Sequence, residues 1–449
     1  MSEGMHASNR WTRRDFLKLA GAGAASAALG GGVLALPRSV LAGPTTINLN
    51  FSVWSYSVDT IQENIKRFEQ AYDNRIKVKV TDFPWPQYRD TMIARFSGRS
   101  SLHVLYNGGD WLPEFARAGW VVPLEDYLPA VRTNYAKKIA GFAVQDMTYN
   151  GKIYGLPYYA DMTTFQYNDV LLKQQGLKAA PQTWEELTDQ AKFLRGKGIE
   201  SPIIFEFATN LPNTIDNFTA MVYGRGGDWF DANLDPVFDR PNSEFRQQLS
   251  WIADTVKQKL AVVLPHETDV VKALNTGKHV YAVLWNYNLA EANNKAVSPR
   301  AGQFKIALMP GRTHETQGMC KFYNMTKYAV DQGKDTVDAS IKFIEYFGGE
   351  HQGQYKIAKR WAVEKGLGFG QLPLYEDAEV RKSFGQWIDF DTLKLQASKA
   401  RARRHPVWEG VFNEFARVQL VRAISGETSV DSAVGAMAAK AKELKAQFK

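Results

Sequence analysis

The sequence predicts an α/β protein of two lobes, and three observations support this prediction. Short apolar strands alternate with amphipathic helices along most of the chain, an order typical of a mostly parallel sheet covered by helices on both faces. With 449 residues, the chain is too long for one compact core and suits two. It contains no internal repeat and no long Pro/Ser linker between its halves, so we expect short connections between the lobes.

The first strand and helix are indicated by two different periodicities. Apolar and polar residues alternate over residues 47–53, which predicts a strand with one buried face. Asp59 and Gln62 have capping-box spacing, and apolar residues then recur on one helical face over residues 61–72. The order of strand, helix and strand continues over residues 76–80, 88–96 and 104–106.

The same alternation returns in the second half of the chain. Thr183 and Glu186 have capping-box spacing before another helix. Residues 203–207 and 279–285 have the composition of buried strands. Apolar residues recur at helical spacing over residues 430–444, which predicts a terminal helix with one face in the core.

The first residues have the pattern of an export signal. Residues 12–18 read T-R-R-D-F-L-K and resemble the twin-arginine motif, followed by a weakly apolar run over residues 19–36 and a small-residue cleavage site at residues 40–42. We therefore expect residues 1–42 to be a signal peptide read by the twin-arginine export machinery. The mature protein is expected to be soluble in the periplasm.

Cysteine usage and charge narrow the possible partners. The only cysteine, Cys320, leaves no site for a lipid anchor after the signal, and we expect it to be buried as a small apolar side chain. The formal net charge of +8 is modest. We interpret the basic run Arg401, Arg403 and Arg404 as a solvated helix face, and we expect no nucleic-acid partner.

The sequence lacks the signatures of common catalytic and metal sites. Its seven histidines are scattered and no cysteine pair exists, so we expect no metal. A single cysteine excludes cysteine-ligated iron–sulfur clusters, and neither a C-x-x-C-H haem site nor a G-x-S-x-G nucleophile motif occurs. We therefore expect no cofactor and no enzymatic activity.

Aromatic residues beside carboxylates or amides occur where strands are predicted to end. Because ligands of open α/β sheets bind at the carboxyl ends of strands, we expect these residues to share one crevice. Aromatic rings stack on the C–H face of a sugar, and carboxylates accept hydrogen bonds from its hydroxyls. The candidate ligand-binding residues are Trp54, Tyr56, Asn107, Asp110, Trp111, Tyr158, Asp161, Trp285 and Asn286.

At these residues the chain resembles the family 1 extracellular solute-binding proteins, which include the maltose-binding proteins of ATP-driven importers. The resemblance covers most of the mature chain and is strongest at residues 111–124 and 150–157. It implies a type II periplasmic-binding-protein (Venus-flytrap) fold, with three hinge crossings near Pro157, Leu308 and Gly349. The implied lobes are residues 43–157 with 309–349, and residues 158–308 with 350–449.

The resemblance also implies which residues face the cleft. Among the candidates above it supports Trp54, Tyr56, Asp110, Trp111, Asp161 and Trp285, and it adds three others. Those three are Tyr323 and Asn324, expected in a loop, and Trp408. The chain departs from the family pattern at His103 and at Lys321, and a lysine there is compatible with an anionic ligand.

The expected function is reversible capture of a sugar or oligosaccharide and its delivery to the membrane permease subunits of an ABC importer. One alternative is a binding protein for glycerol phosphate or a polyamine. Another is a secreted glycoside hydrolase, which needs two opposed carboxylates across a sugar bond. A third is a sensor module that presents its ligand to a receptor.

Overall fold

The computed structural model describes residues 46–448, which fall into two compact units separated between Leu102 and His103. The predicted signal peptide lies outside the described residues. Within residues 46–448, no helix is both long and apolar enough to span a membrane.

The first unit has a βαβα order, as the sequence predicts. Its elements are β1 (Ile47–Trp54), α1 (Val58–Ala71), β2 (Ile76–Phe83) and α2 (Trp85–Ser97). Strands β1 and β2 pair in parallel. The predicted capping box is wrong, because α1 begins after Ser57, whose side chain makes no cap hydrogen bond. Asp59 lies instead in the first turn, where a negative charge favours the helix dipole.

The second unit contains the remaining strands and helices. Its strands are β3 (Val104–Gly108), β4 (Thr148–Tyr149), β5 (Lys152–Ile153), β6 (Gly155–Asn168), β7 (Ile203–Glu206), β8 (Ala261–Leu264), β9 (Tyr281–Trp285), β10 (Phe304–Ala307), β11 (Thr316–Met325) and β12 (Ala400–Arg401). Its longer helices are α3 (Leu112–Arg117), α4 (Ala130–Thr133), α5 (Gly141–Asp146), α6 (Asp169–Gln174), α7 (Trp184–Gly196), α8 (Asn213–Arg225), α9 (Glu244–Lys257), α10 (Glu267–Asn275), α11 (Asn286–Ala292), α12 (Lys327–Asp331), α13 (Lys334–Gly348), α14 (Lys356–Lys365), α15 (Ala378–Phe384), α16 (Phe390–Ser398), α17 (Glu409–Ile424) and α18 (Val430–Gln447).

The main sheet of this unit is mixed rather than mostly parallel. Its order is β3-β11-β6-β9-β7-β8, and within this order the only parallel pairs are β9 with β7 and β7 with β8. The long strand β6 is antiparallel to its neighbours: Gly155 to Met162 pair with β11, whereas Thr163 to Tyr167 pair with β9. One strand therefore runs continuously through two parts of the sheet.

The local helix predictions of the second half are confirmed. The Thr183 hydroxyl caps α7 by accepting a hydrogen bond from the Glu186 N–H, and Glu186 in turn accepts one from the Gln182 N–H. The terminal helix α18 buries Val434 to Leu444 at helical spacing. Cys320 is buried, as predicted.

Candidate functional site

The carboxyl ends of three parallel strands, β7, β8 and β9, meet at one edge of the second unit's sheet. Trp285 ends β9, and Asn286 begins α11 directly after it. Glu206 ends β7. The register of β6 places Thr163 opposite Trp285, so Asp161, two residues earlier, belongs to the same edge. This is the position at which open α/β sheets bind ligands.

Asp161 and Asn286 lie on one cavity and carry buried polar atoms. Asp161 is 3% exposed and Asn286 is 1% exposed. Both line one cavity together with Phe142 and Phe369. A side chain in place of Gly368 would lie 2.8 Å from the Asp161 carboxylate, so a glycine there permits this close approach.

The Asp161 carboxylate is only half satisfied. Its Oδ1 accepts a hydrogen bond from the Met162 N–H at 2.8 Å, whereas Oδ2 has no hydrogen-bond partner among residues 46–448. The Oδ1 atom of Asn286 also has none within that range. Burial raises the pKa of Asp161 from 3.8 to about 7, although the Met162 and Tyr287 N–H groups favour the charged form.

Asp110 and Trp111 lie in the turn between β3 and α3, as the sequence indicates. The Lys321 ammonium on β11 donates to Asp110 Oδ1 at 2.7 Å and lies 4.6 Å from the centre of the Trp111 ring. Burial alone would raise the pKa of Asp110, but Lys321, helped by His405 and Arg403, lowers it below 3.8. The charge of Lys321 is therefore directed at a carboxylate of the protein itself.

A buried ion network lies nearby and was not predicted. We use "ion network" for Asp146, Arg403, His405 and Glu409. The His405 ring is 2.7 Å from Asp146 Oδ1 through Nε2 and 2.5 Å from Glu409 Oε2 through Nδ1. Arg403 approaches the other Glu409 oxygen at 3.0 Å. Burial lowers the pKa of His405, but Glu409 and Asp146 outweigh it and raise the pKa to about 10.

The interpretation of Arg401, Arg403 and Arg404 as a solvated helix face is wrong. Arg401 lies in β12, pairs with Asp228 at 2.8 Å and covers the Tyr223 ring at 3.6 Å. Arg403 belongs to the buried ion network. Arg401 pairs with an acid 173 positions away in the sequence, which composition alone does not reveal.

Several predicted site residues occupy the interior of the sheet. Tyr158 to Asp161 lie within β6 rather than in a loop after a strand, and Tyr323 and Asn324 lie within β11 rather than in a loop. Tyr158 packs against Tyr323 with ring centres 5.0 Å apart and both are fully buried. The expectation of loops was wrong because both strands are buried on both faces, which leaves no alternating polar face to mark them.

Asn107, Asn324 and Trp408 have structural contacts. Asn107 Nδ2 donates to Asn324 Oδ1 at 2.9 Å, and Asn324 donates to the Tyr154 carbonyl at 2.7 Å. These bonds join β3 and β11. Trp408 precedes α17 and packs in the apolar core against Phe230 and Phe412. Trp285, also buried, remains at the carboxyl edge.

Trp54 and Tyr56 belong to the first unit. Trp54 ends β1, and its ring stacks on that of Tyr56 with centres 4.8 Å apart and an angle of 12°. Trp85 meets Trp54 edge-on at 5.9 Å. The Ser55 hydroxyl, between Trp54 and Tyr56 in the sequence, donates a hydrogen bond to the Asp82 carboxylate at 2.6 Å. The unit therefore presents an aromatic platform at the end of its first strand.

Comparison with known proteins identifies a family and distant relatives. Residues 54–354 match the family model described as bacterial extracellular solute-binding protein. A binding protein of Brucella abortus is 25% identical over 188 residues, which cover 39% of this chain and 44% of the relative, less than half its length. The diacetylchitobiose binding protein DasA of Streptomyces coelicolor is 23% identical over 317 residues, 67% of this chain and 70% of that protein.

Solved structures share the fold. The sugar-binding protein MalE of Xanthomonas citri superposes with a TM-score of 0.76 at 18% identity, covering 89% of this chain and 98% of that one. Maltose-bound MalE3 of T. maritima gives 0.73 at 20% identity, with 89% and 100% covered. A ribitol-bound solute-binding protein of Agrobacterium radiobacter gives 0.71 at 15% identity, with 89% and 99% covered. The fold is thus the type II periplasmic-binding fold that the sequence predicts.

Proposed function

Because this chain belongs to the bacterial extracellular solute-binding protein family, we propose that it captures a sugar or polyol and delivers it unchanged to the permease subunits of an ABC importer. The main support is the pair of buried acceptor atoms, Asp161 Oδ2 and Asn286 Oδ1, that lack partners within residues 46–448 and border one cavity. A bound solute whose hydroxyls donate to both atoms would satisfy them.

The energetics favour a polyhydroxylated solute. Leaving a buried acceptor unsatisfied costs about 1–3 kcal/mol. The ligand-free protein has two such atoms, and hydrogen bonds from a bound solute would remove this free-energy cost. Phe142 and Phe369 border the same cavity and offer apolar surface to the C–H face of a sugar or polyol. Relatives whose structures hold maltose or ribitol bind molecules of this class.

The proposed lobes are those of the sequence analysis, residues 43–157 with 309–349 and residues 158–308 with 350–449. The change of partner strand along β6, after Met162, is consistent with a crossing close to this point. The ion pair between Asp146 and His405 would then join one lobe to the other in this conformation.

An anionic solute is less well supported than a neutral or cationic one. Lys321 is engaged with Asp110 and Arg403 with Glu409, so a phosphate would have to separate ion pairs that are already formed. The hydrolase alternative is disfavoured by the family, whose members are binding proteins. We expect no product release from a chromogenic glycoside.

We further propose that residues 1–42 direct the chain through the twin-arginine machinery to the periplasm. Replacing Arg13 and Arg14 by lysine should retain the protein in the cytoplasm, as measured by cell fractionation. Export of that variant at the normal rate would contradict the proposed route.

Binding is tested by a thermal-unfolding screen with maltose, mannitol, ribitol and diacetylchitobiose, followed by calorimetry. A solute at a hundredfold excess over its Kd should stabilise the protein by about 2.7 kcal/mol. Asp161→Asn should weaken its binding at least tenfold, because a charged acceptor is lost, whereas the exposed-site control Asp338→Asn should not. Absence of any shift, or equal affinity of Asp161→Asn, would contradict the proposed site.

A further inference from the structure

A second acidic group lies at the same edge of the sheet and has no role in the site described above. Glu206 ends β7 and is 2% exposed, and Glu267 begins α10 shortly after β8. The Asn213 amide nitrogen is 3.1 Å from Glu206 Oε1 and 3.2 Å from Glu267 Oε2. Both carboxylates thus approach one NH₂ group, and we call them the acidic pair.

The acidic pair has no cationic partner. Among residues 46–448, neither member makes an ion pair with Lys, Arg or His. Their hydrogen-bond donors are neutral: besides Asn213, Asn217 donates to Glu206 at 2.9 Å and the Tyr287 hydroxyl donates to Glu267 at 2.7 Å.

The titratable groups around the acidic pair do not neutralise it. Burial raises the pKa of Glu267; the Tyr287 hydroxyl and the neighbouring His266 lower it, and Glu291 raises it further. Burial, followed by the charge of Glu267, raises the pKa of Glu206. Tyr287 is the remaining titratable neighbour, and burial keeps its hydroxyl protonated by raising its pKa.

An unsatisfied polar atom lies beside the acidic pair. Asn217 is 1% exposed. Its Nδ2 donates to Glu206, whereas the Oδ1 atom of the same amide has no partner in the described part of the chain. Asn288, also buried, hydrogen-bonds Glu267 and lowers its pKa. Buried polar atoms in native proteins are almost always satisfied, so the Asn217 oxygen indicates a missing ligand group.

The helix N-termini at this edge do not balance the charge. Helix α8 begins at Asn213 and α10 at Glu267, and each N-terminus contributes roughly half a positive charge. Two ionised carboxylates would exceed this sum, and Asp161 adds a third acid at the same edge. The electrostatic balance of the edge therefore favours a positive ligand group.

We propose that the acidic pair binds a positively charged nitrogen of the transported solute, which makes that solute an amine-bearing sugar, an amine-bearing polyol or a polyamine. This inference rests on the proposed function and narrows its substrate class. An ammonium group has three donors and no acceptor. The carboxylate oxygens of the acidic pair and the free Oδ1 of Asn217 are acceptors that such a group can satisfy.

If the acidic pair binds a cationic solute, protons compete with that solute for the pair. Burial, with the charge of Glu267, raises the pKa of Glu206 from 4.5 to about 7, so the site carries a proton when empty at mildly acidic pH. A cationic solute has to displace that proton. Its affinity should fall at least tenfold between pH 7.5 and pH 5.5, whereas the affinity of a neutral sugar should change less.

The test compares matched neutral and aminated compounds by calorimetry on the mature protein. The pairs are glucose with glucosamine and diacetylchitobiose with chitobiose, and putrescine and spermidine represent polyamines without a sugar. At least one aminated compound should bind ten or more times more tightly than its neutral counterpart, or a polyamine should bind where neutral sugars do not. Which of the two occurs identifies the source of the nitrogen.

Each other outcome overturns the inference in a distinguishable way. Equal or tighter binding of the neutral members would overturn it and leave the proposed function standing. Binding of none of the sugars, polyols or amines would overturn both. Stabilisation by CaCl₂ alone, with loss of amine preference in its presence, would assign the acidic pair to a metal ion instead.

Variants connect the preference to the acidic pair. Glu206→Gln and Glu267→Gln should each reduce the ratio of amine to neutral affinity at least fivefold, whereas Asp338→Asn, an exposed carboxylate on α13, should leave it unchanged. Glu267 is only partly buried, so its variant remains informative if Glu206→Gln does not fold. Retention of the preference in both glutamine variants would overturn the assignment.

Discussion

The buried acids of the second unit form two sets with different surroundings. In the ion network, Asp146 and Glu409 are each within hydrogen-bond distance of the His405 ring, which they hold protonated. At the carboxyl edge, Asp161 and the acidic pair have no cation within the described residues and retain unsatisfied neighbours. Buried charges without partners are costly, so we interpret the first set as structural and propose that a ligand completes the second.

The largest effect is expected from breaking the ion network. His405→Ala leaves the buried Asp146 carboxylate without its cation and Glu409 with Arg403 alone, so we expect a loss of about 3–5 kcal/mol in the free energy of unfolding, measured by urea denaturation. The matched control Asp338→Asn removes an exposed ion pair with Lys334 and should cost less than about 1 kcal/mol. A similar small loss for both variants would show that the ion network is not a structural element.

The two sets should also respond to pH in different windows. The pKa values of Asp161 and Glu206 rise from 3.8 and 4.5 to about 7. The folded state therefore binds more protons than the unfolded state, and stability falls as pH rises from about 4 to 7. The effect is on the order of 3 kcal/mol for each group. The pKa of His405 rises from 6.5 to about 10, so its contribution is complete below pH 6.5 and is lost as pH rises through 10.

Substitutions can show which titratable groups cause the pH dependence of stability between pH 4 and 7 and which cause the alkaline one. The double variant Asp161→Asn, Glu206→Gln should lose the dependence between pH 4 and 7 and keep the alkaline one, whereas His405→Ala should do the reverse. The measurement is the free energy of unfolding of the unliganded protein at several pH values. An unchanged acidic profile in the double variant would show that the unpaired acids do not carry protons.

The smallest effect is expected for the ion pair between Lys321 and Asp110, which is partly exposed. Lys321→Met leaves the Asp110 side chain, 28% exposed, without its cation, and solvent can compensate in part. We expect a loss of about 1–3 kcal/mol in stability, and a rise in the pKa of Asp110 that NMR titration would detect. A pKa of Asp110 that stays below 3.8 in this variant would contradict the role of Lys321.

The sequence predicted the fold well where its signals are local. The alternation in residues 47–53, the Thr183 cap and the apolar stripe of α18 each depend on neighbours within a few residues, and each is found. Strands β6 and β11 were missed as strands because they are buried on both faces, so no alternation marks them. Their predicted loops were wrong for that reason.

The candidate site was predictable only in part. Asp110, Trp111 and Asn286 were identified from their position near strand ends, whereas Asp161 was identified from an expected strand end and lies within β6. The role of all four in binding stays a prediction. The contact between Asp146 and His405 joins residues 259 positions apart, and no local spacing encodes such a pairing. The acidic pair was missed for the same reason, since Glu206 and Glu267 become neighbours only through the parallel pairing of β7 and β8.

The most direct test of the central claim is a crystal structure of the mature protein with the solute that stabilises it most. We predict a nitrogen of that solute within about 2.7–3.2 Å of both Glu206 and Glu267, with solute hydroxyls on Asp161 and Asn286. A solute bound elsewhere, or one that places only neutral hydroxyls on the acidic pair, would contradict the account.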